Sequence, residues 1–215
     1  LKSINPTDQT KQDNYKLLIG TVLPRPIAFV TSKAVDGTIN AAPFSFYTVV
    51  STEPPMIGFT VNRKPGGIQK DTARNIVETG EFVVHVVTEQ NVQEVNETAT
   101  DFPADVSEVE KVGFSLVPSE EISVPRIAES PIQMECILHQ VVELGGTVEA
   151  PNSDFLIGEV VRFHVAEELY DQGRIDTEKL APVGRLAGTT YGKVGETFSM
   201  PRMSVEQWEE YKKDK

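Results

Sequence analysis

Phe82-Val83-Val84-His85-Val86-Val87 is an almost unbroken apolar run of β-branched and aromatic residues. A run this short, without alternation, predicts a central strand covered on both faces. Working backward, Met56-Ile57-Gly58-Phe59-Thr60-Val61 has the same character and follows Pro54-Pro55, a pair that can start a strand but not continue one. Further upstream, Pro26-Ile27-Ala28-Phe29-Val30-Thr31 predicts a strand closed by Asp36-Gly37, a hairpin turn into Ile39-Asn40-Ala41-Ala42-Pro43. The stretch before Pro54 reads as a small-residue connection. Working forward, Ile132, Met134, Cys136, Leu138 and Val142 alternate with mostly polar neighbours, and Phe155, Ile157, Val161, Phe163 and Val165 do so around Gly158. Both segments predict half-buried antiparallel strands, with a bulge or tight bend at Gly158.

Helical patterns fall at 15–19, 71–78, 89–98, 107–112 and 204–211, the last opening at Ser204 like a capped helix. Many short strands, few helices and no alternating βαβ rhythm predict a mainly β protein: an antiparallel, closed or nearly closed barrel with a few peripheral helices. One domain is expected over 1–215, with an acidic helical insertion at about 89–121 and a C-terminal helix at about 203–213. Trp208 and Tyr211 are expected to anchor that helix to the barrel or to a partner subunit. No internal repeat is present.

The 215 residues carry 20 Lys+Arg against 32 Asp+Glu, a net charge of −12. Such a surface repels phosphate on average, which argues against nucleic acid or an anionic membrane as partner; any phosphate must be held locally. Cys136 is the only cysteine, which excludes an internal disulfide, a Cys-based zinc site and a CxxC redox pair, and fits a reducing cytosol. No apolar run approaches ~18 residues and no signal pattern opens the chain, so a cytoplasmic protein is expected. The initial Leu1 implies that a few residues, the initiator Met among them, precede it. Between 89 and 121, Glu89, Glu94, Glu97, Asp101, Asp105, Glu108, Glu110, Glu120 and Glu121 face Lys111 alone. That stretch reads as a solvated insertion over one barrel end, unsuited to an acidic partner.

Against this background the segment 63–75 is anomalous: Arg63, Lys64, Lys70 and Arg74 against Asp71, with Gly66 and Gly67 between. It follows a strand and enters a helix that Asp71 or Thr72 can cap, where first-turn N–H groups, Arg63, Lys70 and the Thr72 hydroxyl suit a phosphate. The same window fits equally a loop whose cations balance an acidic surface and whose glycines only make a turn. A second constellation, Asn40-Ala41-Ala42-Pro43-Phe44-Ser45-Phe46-Tyr47-Thr48, combines small residues with a proline that holds the chain extended. Its peptide groups at Ala42, Phe44 and Ser45 can face outward to a flat ligand with polar edges. His85, His139 and His164 show no paired ligand spacing, so no metal site is expected and structural histidines are the default. Cys136, on an apolar strand face, reads as inert packing. There is no GxSxG, no paired-carboxylate arrangement and no GxGxxG dinucleotide fingerprint.

Taken in order, RPIAFVTS, DG, NAAPFSF, PPMIGFTVN, KDTxxNI and GEFVVHVV resemble the flavin reductase-like, FMN-binding split β-barrel family, in its flavoredoxin-type branch. The resemblance covers about 15–87 with high specificity and extends more weakly to 182–191. It implies a homodimer with noncovalent FMN near the subunit interface. Thr31 and Ser32 with Asn40, Ala42, Pro43, Phe44, Ser45 and Phe46 would line the ribityl chain and isoalloxazine; Asn62, Arg63, Lys70 and Thr72 would hold the phosphate. Arg185 and Tyr191 would reach the flavin, from either subunit. No catalytic side chain is implied, since the flavin is the reactive group. Backbone amides along 42–46 and a cation, Arg25 or Arg185, are the candidates for stabilising reduced flavin. His85 departs from the Asn that many relatives carry, and the Gly-Asp-His segment of two-component monooxygenase reductases is absent. The function implied is an NAD(P)H-dependent flavin reductase or flavoredoxin-like electron-transfer protein, with NADH or NADPH docking transiently. The alternatives are a noncatalytic FMN carrier and, further off, a pyridoxamine-phosphate oxidase-like enzyme.

Overall fold

The computed structural model describes residues 1–100, 102–103 and 106–213, so Asp101 and Asp105 of the acidic stretch lie outside the described residues. The chain forms β1 (Ala28–Lys33), β2 (Ile39–Phe44), β3 (Tyr47–Thr52), β4 (Pro55–Asn62), α2 (Asp71–Thr79) and β5 (Glu81–Val86), preceded by α1 (Lys11–Thr21). After α3 (Val92–Glu97), α4 (Glu108–Val112), β6 (Leu116–Val117) and β7 (Arg126–Ile127) come the long β8 (Ile132–Gly146) and β9 (Pro151–Val165). Seven strands make one antiparallel sheet in the order β2-β1-β5-β8-β9-β4-β3. Its two edges, β2 and β3, are joined only by Ser45 and Phe46, so the sheet curls until they meet at a corner. One continuous core results, holding Ala28, Val30, Phe59, Val61, Phe82, Val84, Cys136, Leu156 and Val160, closed by Ala73 and Ile76 of α2. This is the mainly β, antiparallel split barrel expected.

β5 lies between β1 and β8 and is buried on both faces. Val84 and Phe82 point into the barrel. On the outer side a second core joins Phe29 and Ala41 to Val95, Val109 and Ile127. The acidic insertion therefore differs from the solvated cover expected over a barrel end. It packs α3 and α4 against β2 and β7 against β5, because its few apolar residues recur on one side.

β3 carried no strand signal, since an edge strand with exposed Val49 and Val50 lacks a one-sided apolar pattern. In β9 the alternation picked the wrong set. Leu156 and Val160 enter the core, whereas Phe155 and Ile157 are only half-buried and Phe163 is 54% exposed. Register shifts leave Val161 of β9 and His139 of β8 as extra residues; the second turns Val141 rather than Val142 to the core, after Ile132, Met134 and Cys136 have entered it as expected.

Gly158 sits opposite Leu138 beside one such shift, but its requirement is space: a Cβ there would lie 2.3 Å from Cζ of the buried Phe82. Gly158→Ala is expected to destabilise the fold by about 2 kcal/mol, a fall in Tm of roughly 4–8 °C. Thermal melts check this, and Phe82→Leu in the same chain should recover part of the loss.

The chain ends with hairpins β10 (Tyr170–Asp171) and β11 (Arg174–Ile175), then α5 (Thr177–Leu180), β12 (Val183–Arg185) paired with β13 (Tyr191–Lys193), and α6 (Val205–Lys213). Ser204 caps α6 as expected, its hydroxyl accepting the Gln207 N–H at 3.2 Å. α6 buries none of its residues, and Trp208, expected as an anchor, is 52% exposed.

Candidate functional site

A cavity of about 760 Å³ opens where β2, the β4–α2 loop and the insertion meet. Of the residues expected at a cofactor, Asn40, Ala42, Pro43, Phe44, Arg63, Lys70 and Thr72 line it. The structure thus brings together two segments that were read separately.

The electropositive end is built by α2. Lys70 is the N-cap, and no side chain caps the helix. Asp71 and Thr72, expected as caps, stand in the first turn instead. The leading N–H groups of α2 are left without a side-chain acceptor, at the positive end of the helix dipole. Gly66 and Gly67, at φ of +80° and +75°, turn the loop back so that the Lys64 N–H reaches the Ile68 carbonyl at 2.7 Å. Gly67 also lies so close to Ala150 that a Cβ would be 2.9 Å from its Cα.

The cations of this loop are not equivalent. Arg63 Nε donates to both carboxylate oxygens of the buried Asp154, at 3.0 and 3.1 Å, and its Nη2 also meets Glu143. Hydrogen bonding to Asp154 holds the guanidinium above its ordinary pKa, so this charge is already matched. Asp71 takes Arg74 at 2.7 Å and Lys64 at 3.8 Å. Lys70 has no ion-pair partner among the described residues. Among the described residues Lys70 is therefore the cavity cation without an ion-pair partner, at the N-terminus of a helix whose first turn also carries Asp71.

The floor is a polar cluster. Thr72 donates its hydroxyl to Asn40 Oδ1 at 2.7 Å, and the Asn40 amide donates to Glu108 at 2.9 Å. Glu108 also accepts the Ala41 N–H at 3.1 Å. Burial pushes Glu108 above the usual carboxylate range although these donors pull it down. Nothing in the sequence marks Glu108 apart from its acidic neighbours. Thr98, Thr100 and Phe102, which complete the wall, carried no signal either.

β2 is an edge strand, and Ser107 donates to the Ile39 carbonyl while Glu108 takes the Ala41 N–H. Residues 39, 41 and 43 therefore turn their peptide groups away from β1, and 40, 42 and 44 turn theirs toward it. This corrects the expectation that Ala42 and Phe44 offer backbone groups outward. Pro43 occupies an outward position, where its missing N–H costs the sheet nothing. The backbone donors left on this stretch are those of Ser45 and Phe46, at the corner.

The remaining expected residues lie off this cavity. Thr31 and Ser32 are buried; Thr31 donates to the Pro125 carbonyl at 2.9 Å, and Ser32 to Asn40 Oδ1 at 3.4 Å. Asn62 is exposed at the end of β4, opposite Ser153. Arg25 lines a separate, largely apolar cavity of about 670 Å³ with Pro24, Ile27, Tyr47, Val87 and Leu186. Its guanidinium donates to the Ile19, Val22 and Leu186 carbonyls at 2.8–3.1 Å and lies 5.9 Å from the Phe46 ring centroid. Arg25 Nε meets Ser45 Oγ at 3.4 Å. Arg185 is joined to Arg25 through reciprocal backbone bonds of 2.8 and 3.0 Å, and its guanidinium stacks 4.4 Å over Tyr191. The Tyr191 hydroxyl donates to Asn96 at 2.7 Å.

His85 is structural: Nδ1 faces the Phe29 carbonyl at 3.0 Å while Nε2 accepts the Ile127 N–H at 2.9 Å, and burial lowers its pKa to about 4. Cys136 is buried, which pushes its thiol upward. Among the described residues no helix is long and apolar enough to cross a membrane.

A family model described as "flavin reductase like domain" matches residues 19–179. An uncharacterized protein of Halalkalibacterium halodurans is 56% identical over 204 residues, 95% of this chain and 98% of its own length. Among solved structures, nitrilotriacetate monooxygenase component B from Bacillus cereus superposes with a TM-score of 0.92 at 51% identity, covering 93% of this chain and 98% of that one. The 2-nitrobenzoate 2-nitroreductase NbaA of Pseudomonas fluorescens gives 0.85 at 33% identity, covering 95% and 98%.

Proposed function

The chain belongs to the flavin reductase-like domain family, and from that premise we infer that it binds FMN noncovalently in the cavity between β2 and α2 and works as an NAD(P)H-dependent flavin oxidoreductase. The observation that carries the reading is an uncapped helix N-terminus beside Lys70, the one cavity cation without an ion-pair partner among the described residues, in a protein of net charge −12. An anion is the ligand such a site favours. The cavity volume lies in the range of ligand pockets, and Ala42, Pro43 and Phe44 give it a wall of small and flat groups suited to a planar ring.

When bound, FMN supplies the redox chemistry, taking a hydride and passing electrons on singly or in pairs. The protein's residues bind and orient. Lys70 and the first-turn N–H groups of α2 hold the phosphate. Arg63, clamped by Asp154, keeps the loop in place, as the Asn40–Thr72 cluster keeps the floor. Ser45 and Phe46 offer N–H donors at the corner. Arg25 fixes that corner by tying α1, Ser45 and the carbonyl of Leu186 together. Its donors are already engaged by three carbonyls, whereas the Arg185 guanidinium, off this cavity and stacked on Tyr191, donates to the Gly188 carbonyl at 2.8 Å and is the less committed cation for the negative charge of reduced flavin. A nicotinamide docks transiently. A second copy of this chain is the partner inferred for the apolar side chains left exposed at Val50, Ile137 and Leu144, each more than 40% exposed.

Anaerobic addition of NADH or NADPH to the FMN-reconstituted protein is the test. Loss of the flavin absorbance within seconds is expected. A protein that binds FMN and stays yellow under both reductants is a carrier, and the oxidoreductase reading fails.

A further inference from the structure

The floor of the cavity carries a hydrogen-bond chain with a direction. Glu108 lies in the first turn of α4 and is 92% buried by its 8% exposure. Its carboxylate takes the Ala41 N–H at 3.1 Å and the side-chain N–H of Asn40 at 2.9 Å. An ionised carboxylate only accepts, so the Asn40 amide is held with Nδ2 toward Glu108 and Oδ1 away from it. Oδ1 accepts the Thr72 hydroxyl at 2.7 Å and the Ser32 hydroxyl at 3.4 Å. Thr72 has a single hydroxyl proton, and it points inward. Toward the cavity its oxygen presents lone pairs.

We propose that Glu108 is a positioning residue that sets the donor–acceptor polarity of the cavity floor, withholding Thr72 as a donor so that recognition of an anionic group falls to Lys70 and the N–H groups of α2. The inference rests on the reading of this cavity as the seat of the FMN phosphate. It changes what Thr72 does there: the residue that sequence and family likeness mark as a phosphate donor serves instead to brace Asn40. The charged groups around Glu108 agree with this division. Asp71 heads α2 and raises Glu108, but it is paired with Arg74 at 2.7 Å and Lys64 at 3.8 Å, whereas Lys70 beside it has no ion-pair partner among the described residues. A phosphate is favoured at α2 and opposed over Glu108.

Glu108→Gln reverses the chain without changing its shape. Asn40 Nδ2 lies 2.9 Å from both carboxylate oxygens, and the Ala41 N–H takes Oε2; the glutamine oxygen keeps the Oε2 place, so its NH2 replaces Oε1 and stands against the Asn40 NH2. Two N–H groups cannot bond to each other. Asn40 then turns Oδ1 toward the glutamine and Nδ2 toward Thr72, and the Thr72 hydroxyl is released to donate into the cavity. The test is a four-protein cycle on the full chain: wild type, Glu108→Gln, Thr72→Val and the double variant, titrated at pH 8 with FMN and with riboflavin.

Thr72→Val is expected to cost about twofold or less in FMN affinity in the wild-type background. In the Glu108→Gln background it should cost about tenfold, the worth of one charge-assisted hydrogen bond, with riboflavin unmoved in both. Equal FMN losses in the two backgrounds, large or small, overturn the proposal. Should none of the four proteins bind FMN, the flavin reading itself fails, and the side-chain amide resonances of Asn40 in ¹⁵N-labelled ligand-free protein decide the matter. Both resonances move on Glu108→Gln if the relay is right; unmoved resonances overturn it.

Discussion

Replacing Lys70 with glutamate is expected to weaken FMN binding about a hundredfold, near 3 kcal/mol, while riboflavin binding changes by about twofold or less. The other cations of the loop are committed: Arg63 to Asp154 and Glu143, and Lys64 and Arg74 to Asp71. Lys70 alone among them brings a charge that no acid of the described residues offsets. Reversing it removes that attraction and sets a repulsive carboxylate at the end of α2, where the helix dipole otherwise favours an anion. Fluorescence titration with the two flavins separates phosphate from ring. Equal loss for both would place the phosphate elsewhere. A Lys64→Glu control should lose far less, because Lys64 is nearly half exposed and 3.8 Å from Asp71.

His85→Phe is expected to destabilise the protein by about 3 kcal/mol at neutral pH and to flatten its acid sensitivity. Both ring nitrogens of His85 are engaged in a fully buried place, bridging the Phe29 carbonyl on β1 and the Ile127 N–H on β7. Phenylalanine keeps the bulk and leaves both groups unpaired, at a cost of about 1–3 kcal/mol for each buried orphan. The pH dependence follows from the lowered pKa. Burial holds His85 neutral down to about pH 4, whereas the unfolded chain takes up a proton near 6.5. Below 6.5 the unfolded state binds more protons, so stability falls as pH drops from 6.5 toward 4, by up to about 3 kcal/mol.

Two carboxylates modify this curve in opposite senses. Burial alone would raise Glu135, but the N–H groups of Glu120 and Glu121, at 2.8 Å each, and His164 outweigh it and leave the group below its ordinary value. Its contribution is present above 4.5 and is lost as pH falls through the lowered value. Glu108, raised chiefly by burial, favours the fold below 4.5 and loses that contribution as pH rises to its elevated value. Neither produces a loss over the whole interval from 6.5 to 4. Urea unfolding at pH 7, 6 and 5 therefore isolates His85: a slope in the variant as steep as in the wild type would remove it as the cause.

Much of the barrel was legible because its signals are local. The six residues from Phe82 need only their own composition to declare a strand with two covered faces. Pro55 begins β4 as its lack of an N–H requires, and Asp36-Gly37 turns β1 into β2, with Gly37 at a φ of +95°. The loop 63–75 was legible by contrast, as a cluster of cations in an acidic chain. What escaped were features set by neighbours far along the chain. β3 lacks a pattern because an edge strand has no second surface to record. In β8 the expected Ile132, Met134 and Cys136 are buried, and only Val142 is displaced, because the residue inserted at His139 brings Val141 to the core; in β9 Leu156 and Val160 face the core in place of Phe155 and Ile157.

Propensity, turn chemistry and local charge act over a few residues, and they marked the long strands β1, β2, β4, β5, β8 and β9, the turn at Asp36-Gly37 and the existence of one electropositive loop. Tertiary structure alone decided which of its charges are free. Arg63 is spent on an acid 91 residues away, and Asn40 is turned by a glutamate 68 residues away. A charge or a hydrogen-bond donor is defined by what lies within about 3 Å of it, and in a barrel that neighbour is chosen by register and closure.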